Sequence, residues 1–310
     1  MPFDRQMLFQ SPTGAKIKLY TRRAEGRPLG VVQINHGLAE HAARYARFAD
    51  FMAARGFHAY AHDHRGHGYS SAPDAPRGVF GGTDGVTSVM ADVGAIHRLI
   101  AAENPGLPVI VFGHSMGGIV ALNYVLRRPQ GVRAAAIWNA NFSAGMLGRL
   151  AQALLAYERF RIGSDVPSRM LPRLTFQDWA KKVPNRRTDF DWLSRDEAEV
   201  DKYVADPHCG WDASVSLWQD LFGMIFYGAD DRNLAGLRKD MPFHLVGGEK
   251  DPATNGGKAV TDLAARLDRQ GFSNLFAKVY AETRHESLNE VNRHIIMAQF
   301  ADWAERTVAN

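Results

Sequence analysis

110-IVFGHSMGGIVALNYV-125 sets one reactive hydroxyl, that of Ser115, between two apolar runs. The first run, 108-PVIVF-112, has strand length and β-branched content; the second has helical length and continues to Arg128. A strand that turns straight into a helix forces its apex residue into a strained backbone conformation. Glycines two before and two after the apex remove the Cβ atoms that would collide there. Gly113-His114-Ser115-Met116-Gly117 meets that need and would present the serine at the C-terminal edge of a sheet. The alternative is an ordinary glycine-rich turn with an incidental serine. The other residues at that edge decide between the two.

Working outward, further short apolar runs read as strands: 31-VVQIN-35, 57-FHAYA-61, 132-VRAAAIW-138, 242-PFHLVG-247 and 275-LFAKVY-280. Their near-continuous apolar character is that of strands buried on both faces. Helical patterns separate them, over 42–56, 86–104, 116–128, 257–270 and 288–307. Such alternation implies a mostly parallel sheet with helices on both faces, an α/β fold. Before it, 6-QMLFQ-10 and 16-KIKLY-20 flank Ser-Pro-Thr-Gly, which predicts an N-terminal antiparallel hairpin. From 141 to 240 there is no buried-strand pattern, but helical patches and Trp179, Trp192, Trp211 and Trp218. A structureless loop of that length is implausible. The expected organisation is therefore a catalytic core of residues 1–140 and 241–310, with residues 141–240 inserted as a mainly helical lid.

A serine hydroxyl is a weak nucleophile without a neighbouring base. His285 lies in 281-AETRHESLNE-290, a loop after the last strand that opens on the same sheet edge. His244 falls within a buried strand, His208 in the lid and His294 on the last helix, so His285 is the expected base. The orienting carboxylate is sought in 247-GGEKDPATNGG-257. Asp251, fixed by the following Pro252, is preferred to Glu249, which stays too close to the strand end. For the developing oxyanion, one donor is the N–H of Met116, at a helix N-terminus directly after the nucleophile. The second is the N–H of Leu38 in 35-NHGLAEH-41, where Gly37 allows close approach.

The chain of 310 residues carries 37 Lys and Arg against 33 Asp and Glu, a net charge of +4. That balance, without a basic helix interleaved with aromatics, gives no nucleic-acid signature. One cysteine, Cys209, allows no internal disulfide, and no Cys/His spacing suits zinc. The opening MPFDRQMLFQ lacks the basic and apolar regions of a secretory signal, and no run has membrane-span length, so a cytoplasmic location is expected.

With these residues assembled, the chain resembles the α/β-hydrolase superfamily of serine hydrolases, within it the monoacylglycerol lipase and lysophospholipase group. The resemblance rests on 36-HGLAEHAARY-45, 62-HDHRGHGYS-70, 113-GHSMGG-118, 247-GGEKDP-252 and 284-RHESLNE-290. In the lid, 205-ADPHCGW-211 is similar to bacterial lysophospholipase-type lids. The resemblance implies nucleophile, acid and base at Ser115, Asp251 and His285, and oxyanion amides at Leu38 and Met116. It further implies carboxylic-ester hydrolysis without a cofactor. Ser115 stands against the related haloalkane dehalogenases and epoxide hydrolases, which use an aspartate nucleophile.

Other features carry weaker expectations. His62, His64 and His67 invite a metal reading, but alternation should split them between opposite sides, and no metal site is expected. The resemblance makes their loop structural, with Asp63 and Arg65 paired locally. His114 is left without a role, and Cys209 is expected to be a small buried lid residue. Segment 149–187 is basic and amphipathic in places; a solvated face is the plain reading, and contact with a membrane or micelle surface the sharper one. The favoured substrate is a single-chain lipid ester, a lysophospholipid or monoacylglycerol. A short-chain or aromatic-ester carboxylesterase, or an amide hydrolase, on the same three residues is the alternative. A non-catalytic binding protein on this fold is disfavoured by the intact Ser/Asp/His set.

Overall fold

A computed structural model of the protein describes residues 3–143 and 145–309. Strands β1 (Arg5–Gln10) and β2 (Lys16–Arg22) form the N-terminal hairpin. Then come β3 (Gly30–Asn35), α1 (Ala46–Ala54), β4 (Phe57–His62), α2 (Gly85–Glu103), β5 (Val109–His114), α3 (Met116–Arg127) and β6 (Val132–Trp138). Helices α4 (Gly145–Ile162), α5 (Leu171–Leu174), α6 (Phe176–Lys181), α7 (Glu197–Ala205) and α8 (Val215–Ala229) follow without a strand. β7 (Phe243–Gly248), α9 (Lys258–Arg269), β8 (Leu275–Tyr280) and α10 (Arg293–Ala309) close the chain. The eight strands make one sheet in the order β1-β2-β4-β3-β5-β6-β7-β8. β1 and β2 are antiparallel to their neighbours and β3 to β8 run parallel, as the strand–helix alternation predicts.

Two apolar layers hold helices to opposite faces. Val111 of β5 faces one layer with residues of α2, α3, α8 and α9, while Ile110 and Phe112 face the other with α1 and α10. Period-two alternation in a strand buried on both sides produces this split. Trp138 is fully buried, its ring 5.0 Å from that of Phe112 and its Nε1 donating to His244 Nδ1 at 3.0 Å. Burial holds His244 neutral, its pKa pushed down to about 3. A side chain of this size stabilises the fold by about 3 kcal/mol or more.

Several boundaries differ from the periodicity. Residues 42–45 form a 3-10 turn before α1, and α10 starts at Arg293 rather than at Leu288, because 284–292 is occupied with the loop described below. β8 is the sheet's last strand and only half-buried: Leu275 packs against one apolar layer and Phe276 and Tyr280 against the other. No helix among the described residues is long and apolar enough to cross a membrane.

Candidate active site

The parallel strands deliver their following loops to one edge. Ser115 follows β5 with φ 56° and ψ −122°, a left-handed backbone outside the range side chains prefer. The glycines make that turn fit: a Cβ at Gly113 would stand 2.0 Å from the Gly117 carbonyl oxygen. Asp251 follows β7 and His285 follows β8.

The structure brings these three together. His285 Nε2 lies 2.9 Å from Ser115 Oγ, and His285 Nδ1 lies 2.9 Å from Asp251 Oδ1. Asp251 is fully buried and also accepts from the Ala253 amide at 2.9 Å, Asn139 Nδ2 at 3.0 Å and Thr254 Oγ1 at 2.8 Å. Burial is the largest influence on its pKa and pushes it up. The facing His285 ring and the hydrogen bonds from His285, Asn139 and Thr254 outweigh burial and hold Asp251 below the ordinary carboxylate range. Glu249, the rival carboxylate, is exposed and accepts from the Glu282 amide instead.

Leu38 and Met116 both border Ser115. Among the described residues no hydrogen-bond acceptor is found for the Leu38 or Met116 amide. Gly37 is buried, and a Cβ there would approach Glu40 Oε1 to 2.7 Å and Ser115 Cβ to 3.4 Å.

Two hollows meet at Leu38, Ser115, Phe176 and His285. The larger, a cavity of about 190 Å³, is walled by Ile119, Trp179, Trp218, Leu221, Phe222 and Ile225. The smaller, about 30 Å³, is walled by Phe190, Trp192, Tyr203 and Trp211. Much of both walls comes from the segment between β6 and β7. That segment also grips the loops beneath it. The Trp192 carbonyl accepts from the His285 amide at 3.3 Å, Leu193 from Glu286 at 2.7 Å, and Ala39 receives the Gly210 amide at 3.0 Å and Tyr203 Oη at 2.9 Å.

Some expectations need correction. Asp63 and Arg65 do not pair: Arg65 reaches Asp74 at 3.0 Å and Asp92 at 3.2 Å, while Asp63 accepts from the amides of Ala42 and Tyr69, each at 2.8 Å. The Asp63 carboxylate thus ties loop 63–70 to the start of the 3-10 turn, and Arg65 turns away into the Asp92 pocket. His62, His64 and His67 are not split between opposite sides. They gather with His36, the His36 and His64 rings being 4.5 Å apart and the His62 and His64 rings 4.8 Å apart. Burial lowers the pKa of all four. The alternation rule fails because only His62 belongs to a strand. Cys209 is half-buried rather than buried; its thiol is pushed up by burial, contrary to a reactive thiolate. Among the described residues, one grouping has donor atoms within 4.8 Å of one another, His41, Asp206 and Cys209; there His41 Nε2 and Asp206 Oδ2 are hydrogen-bonded at 2.8 Å.

Sequence reasoning missed the residues that support the three. Asn139, with φ 49°, bridges Asp251 Oδ2 and Ser287 Oγ, which donates to Asn139 Oδ1 at 2.9 Å. His114 donates from Nε2 to the His285 carbonyl at 2.9 Å. Its Nδ1 lies 3.7 Å from Glu40, beyond a direct hydrogen bond, so that attraction is one of charge. Burial opposes charging of His114, but Glu40, Glu286 and the His285 carbonyl raise its pKa above the ordinary value. His114 carried one sequence signal, its place between Gly113 and Ser115, and Asn139 carried none.

The fold and the Ser115 turn define an α/β-hydrolase. The chain belongs to the family described as serine aminopeptidase, S33, whose match covers residues 26–292. It is 29% identical over 290 residues to a monoacylglycerol lipase of Mycolicibacterium smegmatis, covering 89% of this chain and 88% of that one. It is 27% identical over 281 residues to the monoglyceride lipase of Homo sapiens, covering 86% and 82%. Among solved structures it is similar to a thermostable carboxyl esterase from Bacillus coagulans, with TM-score 0.88, 21% identity and 99% of each chain covered.

Proposed function

We propose that this protein is a serine hydrolase that cleaves carboxylic esters of single-chain lipids, a monoacylglycerol or a lysophospholipid, through an acyl-enzyme. The observation that carries the reading is the unbroken hydrogen-bonded line Ser115–His285–Asp251, opening onto an apolar cavity. The relatedness to monoacylglycerol lipases points the same way.

His285 takes the Ser115 proton as Oγ attacks the ester carbonyl. The amides of Leu38 and Met116 receive the oxyanion, and Asp251 stabilises the imidazolium. The alcohol leaves with the proton from His285. Water, activated by the same ring, then releases the acid. None of these steps requires a cofactor.

Residues 141–240 act in this reading as a lid over a core of residues 1–140 and 241–310. The lid supplies the aromatic and aliphatic walls of the cavity, and a long acyl chain is the group that gains most from them. The start of α4 exposes Met146 and Leu147, and its end exposes Phe160, with Arg149, Arg159 and Arg161 on the same helix. An apolar edge flanked by cations suits docking on a lipid surface.

Hydrolysis of p-nitrophenyl esters of graded acyl length tests the proposal. A medium- to long-chain optimum that vanishes in Ser115→Ala supports it. No turnover by the wild type, or undiminished turnover by Ser115→Ala, overturns it. A short-chain optimum moves the reading to a small-ester hydrolase.

A further inference from the structure

Gly37 is held on both sides. Its N–H donates to Glu40 Oε1 at 2.6 Å, and its carbonyl accepts from His36 Nδ1 at 2.8 Å. His36 is fully buried, and its Nε2 accepts from the His64 amide at 2.9 Å. That bond leaves the ring proton on Nδ1, as the bond to Gly37 requires. The peptide bonds are trans, so the Gly37 carbonyl and the Leu38 N–H share a plane and point in opposite directions. Turning the carbonyl toward His36 therefore turns the Leu38 N–H away from it.

Glu40 is itself fixed. Its Oε1 also accepts from Tyr45 Oη at 2.8 Å, and its Oε2 pairs with Arg44. Arg44 grips Glu286 with both terminal nitrogens, at 2.6 and 2.7 Å. One buried cation thus joins the carboxylate under Gly37 to the residue following His285. A side chain whose own partners are locked holds its target more narrowly than a free one.

We propose that His36 and Glu40 are positioning residues: together they clamp the Gly37 peptide units so that the Leu38 amide is aimed at the oxyanion, in register with His285. This inference rests on the reading of Ser115 as nucleophile. Both act through the Leu38 amide rather than on the reacting atoms.

The paired substitutions His36→Asn and His36→Gln test it. The Asn amide nitrogen falls near the Nδ1 position and can still donate to Gly37. The Gln side chain reaches the Nε2 position instead, keeping the bond to His64 and losing the one to Gly37. With p-nitrophenyl butyrate, His36→Gln is expected to lower kcat by about 10- to 100-fold with KM nearly unchanged, as misaiming a transition-state donor does. His36→Asn stays close to wild type. Glu40→Gln, which keeps an acceptor for the Gly37 N–H, loses less kcat than Glu40→Leu. Crystal structures of the His36 pair are expected to show the Gly37–Leu38 peptide rotated in the Gln variant only. Equal kcat losses in both His36 variants, or an unrotated peptide in His36→Gln, overturn the clamp. A wild type without turnover refutes the reading of the site instead, and the two peptide orientations then still decide the clamp.

Discussion

A Cβ on Gly117 would stand 2.0 Å from the carbonyl oxygen of Asn35, at the end of β3. The helix that begins directly after Ser115 is thus in backbone contact with the strand that leads to the Leu38 loop. Gly117→Ala must push α3 off that strand. A destabilisation of about 3 kcal/mol or more is expected from such overpacking. Urea unfolding followed by circular dichroism reads it, and an unchanged midpoint contradicts the close approach.

Asp251→Asn keeps the size of the side chain but removes the charge that faces His285. Since Asp251 accepts from His285 Nδ1, its neutral replacement favours the wrong imidazole tautomer. A fall in kcat of about 10⁴ is expected at neutral pH with the fold intact. Turnover within tenfold of wild type would remove Asp251 from the mechanism.

Asp220 of α8 is poised differently. Burial first, then the charge of Asp84, pushes its pKa up to about 7, against a smaller opposing pull from Arg159. A carboxyl whose folded pKa lies above its unfolded value binds its proton more tightly in the fold. Stability therefore falls as pH rises from near 4 to about 7 and changes no further above that through this group. Asp220→Asn removes the loss. It should exceed wild type at pH 8 by roughly 1–3 kcal/mol and match it near pH 4. Equal urea midpoints at pH 8 would show that Asp220 ionises freely.

The exposed edge of α4 gives a prediction that separates docking from chemistry. Met146, Leu147 and Phe160 are 88%, 82% and 87% exposed. Replacing Met146 and Phe160, which lie on one side of the helix, by serine should weaken sedimentation with anionic phosphatidylglycerol vesicles, while kcat/KM on a soluble short-chain ester stays within about twofold, as for surface changes generally. Unchanged vesicle binding makes the edge an ordinary solvated face.

Much of this site was legible before the fold. Ser115, Asp251 and His285 each follow an apolar run, and glycines mark the turns at the first two, so local pattern was enough to put them on one edge. Leu38 was reachable because Gly37 announces a close backbone approach. Arg44 and Glu286 were not, because their pairing spans 242 residues of chain and leaves no local period; Glu40, four residues before Arg44, is joined to Glu286 only through it. Asn139 is silent for the same reason: its value lies in bridging Asp251 and Ser287 across the sheet edge. The histidines at 62, 64 and 67 misled because a strand period was applied where the chain had already left the strand.

The proposed chemistry stands on Ser115 as a nucleophile activated by His285. Its most direct test is covalent labelling with a fluorophosphonate ester, read by intact mass and peptide mapping on wild type, Ser115→Ala and His285→Ala. One adduct is expected, on Ser115 of the wild type, with none on Ser115→Ala and greatly slowed labelling of His285→Ala. An adduct on another residue, or labelling of wild type and His285→Ala at equal rates, would contradict it.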